Sequence, residues 1–147
     1  MKLVAPSLIA MLALPAWAQT QAELSFYGTH ACTIGTAGAQ TDPEDGETIC
    51  LDPKPVFGGT AITAVSADVD KETGKETAIV TLGESASTMM YAFTYANAGH
   101  KMGIALDGKL VSAPFISNPN GAGQVTVHGL SHTQIVALIA RYQGRTP

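Results

Sequence analysis

Apolar residues in this chain fall in short runs, most with the two-residue period of a strand, and only two stretches show the three-and-four spacing of a helix. Residues 23–27 and 48–51 are short strand candidates. Residues 62–69 and 77–82 are richer in Val, Ile, Thr and Ala, and the polar stretch Asp70-Lys71-Glu72-Thr73-Gly74-Lys75 between them predicts a hairpin. Gly83 ends the second of these strands. Ser85 or Ser87 is placed to cap a helix running to about residue 98, with Gly99 ending it. Ala86, Met89, Met90, Phe93 and Ala96 recur along that helix at three and four residues, which predicts one buried stripe.

The pattern is clearest after residue 100. Met102, Ile104 and Leu106 alternate with Lys101, Gly103 and Ala105, as in a strand with one face in the core. Asp107-Gly108 tolerates the positive φ of a tight hairpin turn, and residues 109–113 return as the partner strand. Pro114 has no N–H to give to a ladder, so pairing there stops or lies on an edge. Residues 117–123, Ser-Asn-Pro-Asn-Gly-Ala-Gly, read as a flexible loop, and 124–127 as a further strand. Ser131 caps a second helix whose Ile135, Leu138, Ile139 and Tyr142 share one face, with Gly144 where it should stop. These elements predict an α+β domain, a mainly antiparallel sheet with two helices packed on one face of it.

A chain of 147 residues has room for one domain with a single core. Eight Lys and Arg against 12 Asp and Glu give a formal charge of −4. Such a chain lacks the cationic surface that nucleic acid or anionic lipid requires. The low charged fraction and the glycines between apolar runs argue against a disordered chain and against a coiled coil.

The N terminus changes the compartment. Lys2 supplies a minimal positive region, residues 3–14 an apolar one, and Ala16-Trp17-Ala18 the small-x-small pattern that a signal peptidase reads. The expected cut is before Gln19, which removes the single tryptophan and leaves a periplasmic or secreted chain with no stable membrane insertion. An apolar run this short, ending at Pro15, falls below the roughly 20 residues of a spanning helix; an uncleaved anchor is the competing reading. In an oxidising compartment Cys32 and Cys50, the only cysteines, read as a disulfide worth roughly 3 kcal/mol, against two free buried thiols. Between them Asp42-Pro43-Glu44-Asp45-Gly46-Glu47 reads as a solvated acidic loop, since it lacks the ligand spacing of a calcium-binding loop.

Thr94, Asn97 and Gly99, followed by Ile104-Ala105-Leu106-Asp107-Gly108-Lys109-Leu110-Val111-Ser112-Ala113-Pro114, resemble the head subdomain in the first periplasmic region of SecD and SecDF, accessory membrane proteins of the Sec protein-export machinery. Gly121, Gly123-Gln124-Val125, Gly129 and the helix after Ser131 follow in the family's order, and residues 55–70 resemble its opening segment, with Gly59 and Asp70 at matching places. The similarity spans roughly residues 51–145. It divides the chain into a signal peptide (1–18), an N-terminal strand and cystine-loop extension (19–50) and a head-like domain (51–147). The family's membrane helices, periplasmic base and ionisable residues within the bilayer have no counterpart here. The resemblance therefore implies contact with polypeptide, a preprotein or an envelope protein, without energy coupling.

Candidate chemistry is sparse. His128 and His132 are four apart, but Gly129-Leu130 separate a strand end from a helix start, and a metal site needs further ligands that are not nearby in sequence. His30 and His100 read as surface residues. Ser112 lacks the glycine elbow of a serine hydrolase, and Asp107 sits where its side chain satisfies a turn. Asp107, Gly108, Ser112, Ala113 and Pro114 therefore read as a structural motif, with no catalytic residue, metal or cofactor expected. For binding, Met89, Met90 and Phe93 offer a soft groove, although their spacing favours the core. Phe115 and Ile116 with Asn118 and Asn120 form a second candidate contact surface. An unpaired strand edge taking up an extended peptide is a third, not located by sequence. The expected function is a non-enzymatic exported module that contacts polypeptide. The alternatives are a small secreted hydrolase or metalloenzyme using the histidines, and a scaffold or inhibitor for one protein.

Overall fold

The computed structural model describes residues 22–143. The expected leader, its cleavage point before Gln19 and the helix stop at Gly144 lie outside the described residues. Ten regular elements follow in order: β1 (Leu24–Ala31), β2 (Ala39–Thr41), β3 (Thr48–Leu51), β4 (Ile62–Val69), β5 (Glu76–Leu82), α1 (Glu84–Ala96), β6 (Met102–Leu106), β7 (Lys109–Ser112), β8 (Gln124–Val127) and α2 (His132–Tyr142). Every strand pairing is antiparallel, and two helices accompany the strands, so the α+β expectation holds.

The strands form two sheets rather than the one expected. Five run in the order β2-β3-β1-β6-β7 and three in the order β4-β5-β8. The first depends on β1, which extends to Ala31 where the sequence suggested a stop near Tyr27. Its first half pairs with β6, from Leu24 opposite Leu106 to Gly28 opposite Met102. Its second half pairs with β3, from Thr29 opposite Leu51 to Ala31 opposite Ile49. Residues before Leu51 are thus built into the same sheet as the Asp-Gly hairpin. β2 is a strand the sequence did not suggest; its three residues are too few for a period to register.

One apolar cluster draws on both sheets and both helices: Leu24 and Phe26 of β1, Ile62 of β4, Val80 of β5, Met90 of α1, Ile104 of β6, Val127 of β8, and Ile135 and Leu138 of α2 are all in it. β6 is buried on both faces, not on one. Its second face is made of Gly103 and Ala105 because another side chain lies over it: a Cβ on Gly103 would collide with Leu51 Cδ2. Leu51 in turn packs on a small second cluster of Ile49, Leu110 and Ala113.

The helix ends refine the expectations. α2 has a complete capping box: the Gln134 N–H donates to Ser131 Oγ at 3.2 Å and the Ser131 N–H to Gln134 Oε1 at 2.8 Å. α1 is capped by neither Ser85 nor Ser87. It starts directly after β5, at Gly83, so both serines lie within its first turns, and Ser87 Oγ donates back to the Gly83 carbonyl at 2.9 Å. At the other end the Asn97 side chain donates to the Phe93 carbonyl at 2.8 Å, and the helix stops at Ala96. The buried stripe of α1 is Ala86, Met90 and Thr94, a single row four apart. Met89 and Ala96 face solvent and Phe93 is half-buried.

Candidate functional site

The Asp-Gly ribbon is held in place by backbone and side-chain contacts on both sides. Asp107 has φ 51° and Gly108 φ 81°, so both central turn positions are left-handed. The Asp107 N–H donates to the Glu23 carbonyl at 2.9 Å while Asp107 Oδ1 accepts the Glu23 N–H at 2.9 Å. The turn thereby clamps the start of β1. Gln40 of β2 holds the other side, accepting the Leu110 N–H at 2.7 Å. Ser112 and Ala113 are buried.

Pro114 does not end the pairing. β7 is the outer strand of its sheet, where a proline is tolerated, and Pro114 gives up only the return bond of its pair with Met102. The Pro114 carbonyl accepts the Met102 N–H at 3.0 Å, and Phe115 makes a further bridge with Lys101. Beyond it a cleft of about 340 Å³ opens between residues 114–118, the C-terminal half of α1 and β8; no charged side chain lines it. The loop forming its end is tied down rather than free. The Asn120 N–H donates to Thr94 Oγ1 at 2.8 Å, Asn120 Nδ2 donates to the Gln124 carbonyl at 3.0 Å, and Asn120 Oδ1 accepts the Ala122 N–H at 3.1 Å.

The expected contact residues divide at this cleft. Phe115, 63% exposed, and Asn118 are open to solvent at its margin. Ile116 is buried and belongs to the core, because its backbone is drawn against His100 by a 2.8 Å hydrogen bond. Asn120 lines the cleft but serves mainly to hold its loop. Met89, Met90 and Phe93 do not make one groove: Met90 is in the core, Phe93 packs against it, and only Met89 is exposed. Tyr91 and Tyr95, outside the apolar pattern of α1, are exposed on its outer face and stacked with ring centroids 6.3 Å apart. Their four-residue spacing, which places both on one face of a helix, is the signal the sequence carries for them. Thr94 was also missed as a polar anchor within that row.

Three of the four histidines, His30, His128 and His132, are each met by one carboxylate from far along the chain. His30 Nδ1 lies 2.8 Å from Asp52 Oδ1, His132 Nδ1 2.8 Å from Glu76 Oε2, and His128 Nδ1 3.9 Å from Asp70 Oδ2. Asp70 is held below the usual carboxylate range by backbone N–H groups of Glu72 and Thr73. Among the described residues no three His, Cys, Asp or Glu side chains converge as metal ligands would.

The acidic loop is not simply solvated. It closes on Lys101, whose Nζ meets Asp42 Oδ2 at 2.7 Å, Glu47 Oε2 at 2.9 Å and Asp45. Asp42 is only 1% exposed and also accepts the Glu44 N–H at 3.0 Å. Burial acts to lower the Lys101 pKa, but the hydrogen bonds to Asp42, Asp45 and Glu47 outweigh it and hold the ammonium above its ordinary value. The same Lys101 hydrogen bond, with the Glu47 N–H, holds Asp45 below its own. Cys32 and Cys50 are joined, closing the base of this loop beside β3.

Comparison with known proteins agrees with this architecture. The family model described as the SecDF P1 head subdomain matches residues 36–141. The protein translocase subunit SecD of Acetobacter pasteurianus is 32% identical over 81 residues, covering 50% of this chain and 16% of that protein. The chain thus spans about a sixth of its curated relative. A solved structure of SecDF, titled as a membrane component that enhances protein export, superposes with a TM-score of 0.63 at 22% identity, covering 86% of this chain and 64% of that one. SecDF in its super-membrane-facing form superposes at 0.62 and 20% identity, covering 86% of this chain and 19% of that one. With two helices on antiparallel strands, a clamped Asp-Gly ribbon and a family match over most of its length, this chain belongs to the SecDF P1 head subdomain family.

Proposed function

We propose that this chain is an exported, non-enzymatic module that contacts polypeptide, a preprotein or an envelope protein, in connection with protein export. The observation that carries the reading is the family match over residues 36–141. The relatives are named for translocation and for enhancing export. An uncharged cleft bordered by backbone and by the exposed Phe115 is a surface that discriminates little between sequences, which suits a partner that is any unfolded chain. The leader and the Cys32–Cys50 disulfide support an oxidising location, periplasmic or secreted. Among the described residues no helix is long and apolar enough to cross a membrane. The proposal is limited to contact, because the chain spans 16% of the translocase subunit it resembles.

The test is a titration of the purified mature chain with one client protein in unfolded and folded forms. Preferential binding of the unfolded form is the expected result. Equal binding of both, or none, counts against the reading.

A further inference from the structure

β8 is the outer strand of the three-stranded sheet, with β5 on one side and an open edge on the other. The ladder determines which of its backbone groups face out. The Leu82 N–H donates to the Gly123 carbonyl at 2.8 Å, and this pair continues the register in which Val80 faces Val125 and Ala78 faces Val127. Bonded pairs alternate along an antiparallel ladder, so Val125 and Val127 turn their N–H and C=O toward β5, and Gln124 and Thr126 turn theirs to the open edge. The Gln124 carbonyl already accepts from Asn120 Nδ2. Thr126 is left with both backbone groups directed out of the sheet, and it lines the cleft.

The opposite wall is also a sheet edge. Past β7 the Ile116 N–H donates to the His100 carbonyl at 2.8 Å and the Pro114 carbonyl accepts from Met102, so alternation turns the backbone of Phe115 away from the five-stranded sheet. The two edges meet at one end, where a Cβ on Gly129 would strike the Val111 carbonyl, and they part between Phe115 and Thr126. A wedge between two open edges, with no charged group on its walls, offers nothing to an ionic ligand. It matches an extended main chain, which carries donors and acceptors on both sides at the strand repeat.

We infer that an unfolded polypeptide enters this wedge as an added β-strand, hydrogen-bonded through its main chain to Thr126 on the open edge of β8. This rests on the polypeptide-contact reading and names its mode. Phe115 at the margin meets an apolar side chain of the incoming strand, and the main-chain bonds leave its sequence otherwise free.

The experiment uses the full mature chain, isotopically labelled, and a reduced and alkylated protein that cannot refold. Amide exchange is read residue by residue. The Thr126 amide, fast in the free chain, should slow about tenfold or more at saturation, while Val125 and Val127, already bonded to β5, change little. T126P removes the outward N–H and no bond to β5, a change edge strands accept, and it should weaken binding about tenfold without moving the thermal midpoint. Should T126P fold poorly, the exchange measurement on the unsubstituted chain decides alone. Binding with Thr126 still exchanging fast overturns strand addition and leaves polypeptide contact standing. No binding at all overturns both.

Discussion

Asp42 is sealed from water with Lys101 beside it, so removing that cation leaves a buried carboxylate without its partner. K101M should therefore cost about 3 kcal/mol in urea unfolding, chiefly through the stranded Asp42, and D42N in the same chain should recover part of it. The pH dependence has a definite sign. Asp45 is held below the ordinary 3.8, so its contribution is complete above that value and fades as pH falls through the folded one. Lys101 is held above the ordinary 10.5, so its contribution is complete below that value and fades as pH rises through the folded one. The stability gap between the native chain and K101M should be constant between these limits and narrow beyond each. A gap unchanged from acid to alkali would mean that the three carboxylates do not act on Lys101. Gly108 offers a separate residue-scale test. A Cβ there meets no atom within 4 Å, so G108A should cost only the strain of its φ of 81°, about 1 kcal/mol.

At the scale of the element, α1 separates two readings of its methionines. Met90 is in the core and 1% exposed, whereas Met89 is 43% exposed. M90A should cost about 2–5 kcal/mol in a denaturant melt, and M89A less than about 0.5 kcal/mol. Similar losses at both would restore the groove that Met89, Met90 and Phe93 suggested. The spacing of apolar residues made this helix legible, but it could not choose between neighbours one residue apart, because both fall within the same hundred-degree arc. The choice was made by Thr94, whose hydroxyl is buried at no cost by donating to the Met90 carbonyl at 2.7 Å and accepting from Asn120. Local signals did better where the chemistry was local. Ser131 was readable as a cap and Asp107-Gly108 as a turn. The cystine joins the end of β1 to β3, and C32S/C50S should lower stability by roughly 3 kcal/mol for a separation of 18 residues. Thermal unfolding of the double variant, compared with the oxidised chain, measures it.

For the whole molecule, what stayed hidden in the sequence is what depends on distant pairs. Strand alternation located most strands, but only the two hairpin ladders, and β1 looks like any short strand until β3 and β6 take opposite sides of it. Lys101 and Asp42 are 59 residues apart, so the acidic loop read as solvated although its partner was printed in the same chain. The cleft was invisible for the same reason: its walls are edges of different sheets, and an edge is defined only by which strand is missing from its side. The division of charge over the folded surface then makes a further statement. The carboxylates at 42, 45 and 47 are drawn around Lys101, while the cleft beside Phe115 carries no charged side chain. If polypeptide enters there by main-chain pairing and apolar contact, ionic screening has little to act on. Affinities for one unfolded client measured at low and high salt should then agree within about twofold, and acidic and basic clients of equal length should compete evenly. Binding that collapses with salt, or that selects basic clients, would move the contact to the acidic loop and away from the cleft.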